Sequence, residues 1–550
     1  MSRLPPLMHA LLLNRYTAFL LVLHLFLQYS PVTEWWHSAM WRMEVPLMLY
    51  LYFCLNQLTR PSRWQAVVTA LPLFMLYACH DYYYMRFDRV PKWSEFSQLR
   101  ELLGVIDLPL ALALGFATLT PLFLLVAFLK ISRRGLLFSL PALCIFSVPF
   151  WYPSEFIHVF KKISKEVIYF SPLVNVQTNG RMVISLYHEA KRRETVQSLA
   201  QYRDLEKLSL RVPPEMAQKS TGKNVHLIVL ESFVDPTLWD KLPKRIQPAH
   251  PDYLKLVGNG QGLSISPIFG GYTAQPEFEV LCGVPAFQEF DEIEFNSFTT
   301  AKTYCLPTIL REFGYRSTAS NAHRPEYFNA MAAYQSLDFD AFYFAKEFTP
   351  GMETYLSKGS EENNQYFYDE ELFAQNLAFI EKKLAEKKPF FNYLLTIYGH
   401  FPFELGGRAG PPLFSLPEMP NAVEKIVNQH YYRTRALAGY LQRLMAMDPT
   451  ALIILVSDHL PPLPEGRGMY DTLGYFQGDK ERLLINRFVV FREGKVEKYD
   501  RFAHFNIYRL ILDFVTDHEY CRRKGCNFGP PVDREAYRND YRTIIGLGAR

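Results

Sequence analysis

The sequence predicts an N-terminal α-helical membrane domain of about five transmembrane helices joined to an α/β extracytoplasmic domain. Three observations carry that prediction: apolar runs recur through residues 1–152, three later apolar segments each end in polar residues, and helical stretches separate those segments. At 550 residues the chain exceeds one ordinary domain, and 49% hydrophobic with 15% aromatic composition is too apolar for disorder. The 59 basic and 55 acidic residues nearly balance, so the chain has no basic footprint and nucleic acid is excluded as a partner.

The five runs are 9–29, 43–59, 66–84, 108–130 and 136–152. Each is close to the ~20 residues a helix needs to cross a hydrocarbon core of about 30 Å. Asn14 and Arg15 in the first run, and His80 and Asp81 late in the third, also suit an interfacial position. The opening residues lack a small-residue cleavage pattern and further runs follow, so the first run is expected to stay in the chain. Arg60 and Arg63, and then Lys130, Arg133 and Arg134, mark two short loops as cytoplasmic. That places the N-terminus inside and everything after about residue 153 outside. The 85–107 loop mixes Arg86, Arg89, Lys92 and Arg100 with Asp88, Glu95 and Glu101, which weakens its own positive signal.

Residues 153–222 alternate charged and apolar positions and read as an amphipathic linker at the membrane surface, or as a helix packed on the outer domain. The polar stretch PPEMAQKSTGKN then marks a boundary before residue 223. Cys282, Cys305, Cys521 and Cys526 all lie in the outer part, and the short spacings within each pair suggest two local bridges. Four free buried thiols are the alternative.

From residue 224, NVHLIVLES, KPFFNYLLTIY and ALIILVSDH read as buried strands of a parallel sheet, with helices at 301–314, 369–387 and 421–446 between them. Open α/β sheets bind ligands at the strand C-terminal edge. There the segments deliver Glu231, His400 and the pair Asp458 and His459. Two carboxylates and an imidazole suit a divalent ion such as manganese or zinc, whereas any single such residue reads equally as a cap or a surface group. Between the first two strands, Gly270 and Gly271 precede Thr273 at the start of a helical stretch. A hydroxyl there, with a metal beside it, is a candidate nucleophile for phosphorus. The plainer alternative is a helix cap assisted by Glu277.

Glu231, GGYTAQPEFEVLCG (270–283), YGHFPF (398–403) and SDH (457–459) together resemble the lipoteichoic acid synthase branch of the alkaline phosphatase/sulfatase superfamily, in order and spacing through roughly 220–520. The resemblance implies a sulfatase-like fold for 223–550. It also implies Glu231, Thr273, Asp458 and His459 as ligands of Mn2+ or Zn2+, with Thr273 also the nucleophile. His400 matches a headgroup-contacting histidine that moves a proton, and Asn321, His323 and Arg324 resemble a substrate-contact stretch. Such proteins sit in the bacterial cytoplasmic membrane with the catalytic domain outside. They transfer a glycerol phosphate or ethanolamine phosphate headgroup from phosphatidylglycerol or phosphatidylethanolamine, through a phosphothreonine, to a glycan or lipid acceptor. The EFEVL segment favours glycerol phosphate, while paired outer cysteines are associated with ethanolamine phosphate transfer. A phosphodiesterase shares every named residue, and a non-catalytic membrane scaffold would have lost a ligand. A sulfatase needs Cys- or Ser-x-Pro-x-Arg, and the nearest segment, Cys305-Leu306-Pro307-Thr308-Ile309, ends in Ile.

Overall fold

The computed structural model describes residues 14–30, 40, 42–87, 108–164, 167, 172–290, 293–359, 366–464, 466–529 and 533–549. The chain divides into two compact units, residues 1–197 and 198–550.

Each apolar run that the sequence singles out is helical: α1 is Arg15–Tyr29, α2 Glu44–Gln57, α3 Gln65–Phe87, α4 Leu108–Phe128 and α5 Arg133–Trp151. The first run is described only from Asn14 onward, and residues 88–107 lie outside the described residues. Among the described residues, α5 alone is both long and apolar enough to cross a membrane, and Gly115–Phe128 is a shorter apolar segment. The helices α1 and α2 are 15 and 14 residues long and fall short of a full crossing on that measure.

Three further helices follow, α6 (Pro153–Ile163), α7 (Pro172–Asn179) and α8 (Arg181–Leu199). In α6, Phe156, Ile157 and Phe160 are buried while Lys161 and Lys162 are exposed, the two-faced pattern expected of the linker. The start of α8 is tied to the earlier helices by buried polar groups. Glu44 accepts from Met182 N and Val183 N, both at 3.0 Å, and from the Tyr77 hydroxyl at 2.6 Å. Its oxygens thereby satisfy amides that a helix start leaves orphaned. Arg181 grips Asp81 through Nε and through Nη2, the latter at 2.8 Å. Gly180 must be glycine, because a Cβ there would sit 2.4 Å from the Glu44 side chain.

In the second unit, residues 198–222 pack with the residues that follow: Leu208, Leu210, Val212 and Met216 are all buried in a core shared with the sheet. Among the described residues nine strands form one sheet: β1 (Val225–Leu230), β2 (Gly262–Ile265), β3 (Arg316–Asn321), β4 (Ala341–Phe344), β5 (Phe390–Leu395), β6 (Leu452–Ser457), β7 (Ile485–Arg492), β8 (Lys495–Glu497) and β9 (Arg501–Ala503). The order is β4-β3-β5-β1-β6-β7-β2-β9, with β8 paired to β7. As expected of continuous apolar segments, β1 lies centrally and pairs in parallel with β5 and β6. Successive residues feed opposite layers: Val225, Leu227 and Val229 pack in one core and Ile228 and Leu230 in the other. That period-two division is what a strand buried on both faces requires.

Strand β7 runs antiparallel to β6, and β2 antiparallel to β7. The double reversal returns β2 to the direction of β1. The C-terminal ends of β1, β2, β3, β5 and β6 therefore share one edge, and the loops leaving that edge carry the site. Helices α9 (Ala274–Cys282), α10 (Asp369–Ala385) and α11 (Asn421–Met447) lie among the connecting segments, the last two close to the stretches predicted at 369–387 and 421–446. The stretch predicted at 301–314 is a shorter helix, Leu306–Glu312, started by Pro307 in its first turn. The two expected bridges are present as Cys282–Cys305 and Cys521–Cys526.

Candidate active site and metal centre

Glu231 leaves the end of β1 and is 1% exposed; Asp458 and His459 leave β6 at 0% and 2%, and Thr273 stands at the start of α9 at 4%. The loop before Thr273 turns through Gly270 and Gly271 at φ of +74° and +136°, with Tyr272 at +58°. Only glycine adopts such values freely, and this turn lets the chain leaving β2 reverse into α9 beside β1. Thr273 makes no side-chain cap bond to its helix. Its hydroxyl instead donates to Glu231 Oε2 at 3.2 Å. The capping alternative thus fails on geometry, and Glu277 does not assist a cap: its carboxylate accepts from the Tyr334 and Tyr393 hydroxyls at 2.7 and 2.8 Å.

The Glu231, Asp458 and His459 ligand atoms lie within 4.8 Å of one another. His459 Nδ1 is 3.0 Å from the Leu460 carbonyl, so Nδ1 carries the proton and Nε2 presents a lone pair. Nε2 lies 3.2 Å from Asp458 Oδ2, and neither atom has a hydrogen-bond partner although both are buried. Buried polar atoms left without partners are costly, and a bound cation would satisfy both. The donor set therefore fits a first-row divalent ion.

The protonation behaviour agrees. Burial raises the Asp458 carboxyl well above its ordinary value and the Glu231 charge adds to that. Burial alone would also raise Glu231, but the hydrogen bond from His323 and the nearby imidazoles outweigh it and hold that carboxyl below the usual range. Burial lowers the affinity of His459 for a proton, as a neutral metal-ligating imidazole requires.

His323, leaving β3, places Nε2 3.3 Å from Glu231 Oε2 and is 5% exposed. His400, in the loop after β5, lies with its ring centre 6.3 Å from that of His323. The Tyr366 hydroxyl donates to the Phe401 carbonyl at 2.7 Å, and His400 Nδ1 is 2.9 Å from the Tyr366 oxygen. Nδ1 is therefore the donor, and Nε2 is left to exchange a proton. Asn321 uses both polar ends inside the protein, accepting from His323 N at 2.7 Å and donating to the Tyr334 hydroxyl at 2.8 Å. Arg324 is exposed, with its guanidinium 5.0 Å over the Phe348 ring, and is not among the groups that meet Glu231.

Several supporting residues escaped sequence reasoning. Arg433 on α11 is 3% exposed, donates to the Glu231 carbonyl at 2.8 Å and pairs with Asp369 at 2.7 Å. A charged residue within the apolar stripe of Ile426, Val427, Leu437 and Leu441 was the signal that could have found it. Gly399 packs under this contact: a Cβ would lie 2.0 Å from Glu231 O and 2.2 Å from Arg433 Nη1. Ser232 N and His459 N both donate to Asp458 Oδ1, at 2.7 and 2.6 Å, which turns Oδ2 towards the ligand cluster.

The Sulfatase family model matches residues 223–516, more than half of the chain. The chain belongs to the sulfatase family. Cys305, in the segment nearest to a Cys-x-Pro-x-Arg sequence, is fully buried and bonded to Cys282. A protein of Rhizobium meliloti strain 1021 named for cyclic beta-1,2-glucan modification is 28% identical over 265 residues, which cover 46% of this chain and 38% of that protein. The lipoteichoic acid synthase of Staphylococcus saprophyticus is 26% identical over 254 residues, covering 43% of this chain and 36% of that protein. The chain thus spans less than two-fifths of the length of either relative. The structure of the Streptococcus pyogenes phosphoglycerol transferase GacH with sn-glycerol-1-phosphate aligns at 19% identity and a TM-score of 0.46, covering 64% of this chain and 92% of that one.

Proposed function

We propose that the chain is a membrane-anchored transferase that moves a glycerol phosphate headgroup from a phospholipid, through a phosphothreonine at Thr273, to an extracytoplasmic glycan or lipid hydroxyl. The observation that carries this reading is the Thr273 hydroxyl held on Glu231 and released from helix capping, beside the unpartnered Asp458 Oδ2 and His459 Nε2.

Glu231, Asp458, His459 and the Thr273 oxygen would hold one Mn2+ or Zn2+. When bound, such an ion lowers the pKa of the hydroxyl and draws charge from the phosphoryl oxygens. The protein's own part is positional. Thr273 Oγ1, its proton given up to solvent, attacks the headgroup phosphorus as an alkoxide while the P–O bond to diacylglycerol breaks, and it departs as the same alkoxide in the second half-reaction. His400 Nε2 gives a proton to the departing diacylglycerol oxygen, while Tyr366 holds the ring by its other nitrogen. The acceptor hydroxyl then attacks the same phosphorus, its proton returns to His400, and the Oγ1–P bond breaks. His323 sits where it can contact the phosphoryl group while bonded to Glu231.

The helical unit supplies the reason for a lipid donor. The helix α5 is long enough to span, and large apolar residues such as Phe116, Phe123, Leu137 and Leu143 are more than 60% exposed on α4 and α5. Such a surface calls for lipid. We propose all five runs as spans of the bacterial cytoplasmic membrane, with residues 198–550 outside and both disulfides formed there.

The test incubates full-length protein in detergent with fluorescent phosphatidylglycerol or phosphatidylethanolamine, with and without Mn2+, and follows labelled diacylglycerol. Metal-dependent release from phosphatidylglycerol, lost in Thr273→Ala, supports the reading. Release from phosphatidylethanolamine alone moves the headgroup to ethanolamine phosphate, and release from neither overturns the proposal.

A further inference from the structure

Glu277 lies one turn into α9 and is 3% exposed, and the mechanism above does not use it. Its N–H bonds the Thr273 carbonyl at 3.1 Å, so it shares the turn that carries the hydroxyl. Its Oε2 accepts from two tyrosines on different elements, Tyr334 on the helix Ala330–Ser336 and Tyr393 on β5. Only one of them leads onward. The Tyr334 oxygen accepts from Asn321 Nδ2 at 2.8 Å, Asn321 Oδ1 accepts from His323 N at 2.7 Å, and His323 Nε2 reaches Glu231 Oε2 at 3.3 Å. The result is a closed circuit of buried hydrogen bonds. It leaves the Thr273 turn through Glu277, passes Tyr334, Asn321 and His323, and returns to the Glu231 oxygen on which the Thr273 hydroxyl rests.

Each polar atom along this path has one role, so the path has a defined direction. Tyrosine has a single proton, and Tyr334 gives it to Glu277, which leaves its oxygen to receive Asn321. The amide of Asn321 is thereby oriented with its oxygen towards His323 N. Were Glu277 unable to accept, the Tyr334 proton could turn to Asn321, and the amide would have to reverse and set its NH2 against the His323 N–H. Satisfied networks of this kind rigidify the groups they join. Burial, together with the Asp458 and Glu231 charges, raises the Glu277 carboxyl to about 7, and the two tyrosine hydroxyls oppose that rise.

We infer that Glu277 is a positioning residue that acts through Tyr334 and Asn321 to set His323 against Glu231 and Thr273. The inference deepens the proposed function and rests on that reading for its turnover arm, but not for its structural arm. Tyr334 and Tyr393 provide an internal control, because they bond the same oxygen at nearly equal distance and only Tyr334 continues to His323.

The experiment uses full-length protein in detergent and two readouts. The first is the rate at which diethylpyrocarbonate modifies His323, read by peptide mass spectrometry, which needs no turnover. The second is diacylglycerol release from fluorescent phosphatidylglycerol. Tyr334→Phe is expected to speed labelling of His323 several-fold and to lower kcat at least tenfold with KM little changed, while Tyr393→Phe stays within about twofold of the parent on both. Asn321→Ala cuts the same path one step later and serves as a second variant should Tyr334→Phe not fold. In a His323→Ala background, Tyr334→Phe should cause no further loss, since coupled residues are non-additive. Equal effects of Tyr334→Phe and Tyr393→Phe, or unchanged His323 labelling in both Tyr334→Phe and Asn321→Ala, overturn the inference. If the parent releases nothing from either lipid, the transfer reading falls, and the labelling comparison still decides the positioning role.

Discussion

Replacing Gly399 by alanine tests how the loop carrying Glu231 is held in place. The added Cβ would sit 2.0 Å from the Glu231 carbonyl oxygen, where ordinary contact begins at 3.4 Å, so the carbonyl must retreat by about 1.4 Å or Arg433 must leave. Either movement breaks the 2.8 Å bond from Arg433 Nη1 to that carbonyl. A hydrogen bond to a charged group contributes about 1.5–3 kcal/mol, and stranding a buried guanidinium adds to the loss, with Asp369 left to hold it. Destabilisation of roughly 2–4 kcal/mol is expected on these grounds. The same movement displaces the Glu231 carboxylate by about 1 Å, which typically costs on the order of a hundredfold in rate. The assays are the urea midpoint, Mn2+ affinity by calorimetry, and diacylglycerol release. Gly439→Ala is the control: on exposed α11 surface with nothing within 4 Å of its Cβ, it should gain roughly 0.5–1 kcal/mol. Wild-type metal affinity and turnover in Gly399→Ala would refute the claim that this contact sets the position of Glu231.

Three other outcomes are expected. Burial raises Glu294 to about 8, and its Oε2 is buried without a partner. Its contribution to stability is present below the unfolded value near 4.5 and is lost as pH rises through about 8; Glu294→Gln should flatten the urea-midpoint profile between pH 5 and 8, and an unchanged profile contradicts this. Mn2+ binding should weaken as pH falls and be accompanied by proton release, because the Asp458 carboxyl is raised well above its ordinary value and must ionise to bind; calorimetry in buffers of different ionisation enthalpy reads the proton count. Replacing Cys282 and Cys305 together by alanine should cost about 3 kcal/mol, against about 2 kcal/mol for Cys521 and Cys526, since the loops closed span separations of 23 and 5 residues; denaturant titration of the two double variants checks the order.

The sequence by itself determined the three central strands β1, β5 and β6, the helices between them and the cysteine pairs, because each rests on local pattern. Apolar runs of strand length, polar residues at their ends, a Gly-Gly turn before Thr273 and short cysteine spacings can all be read without knowing what lies across the sheet. Tertiary structure decided what those residues do. Whether Thr273 caps its helix depends on Glu231, 42 positions earlier, taking its hydroxyl. Whether Cys305 is a reactive thiol depends on Cys282. That β2 delivers its loop to the same edge as β1 follows from a double antiparallel reversal through β7, which no local periodicity records. Arg433, Gly399 and the path from Glu277 to His323 were invisible for the same reason. Hydrogen bonds and close contacts act over about 3 Å of space, while the residues that make them here lie as far as 202 positions apart for Arg433 and Glu231 and 226 for Ser232 and Asp458.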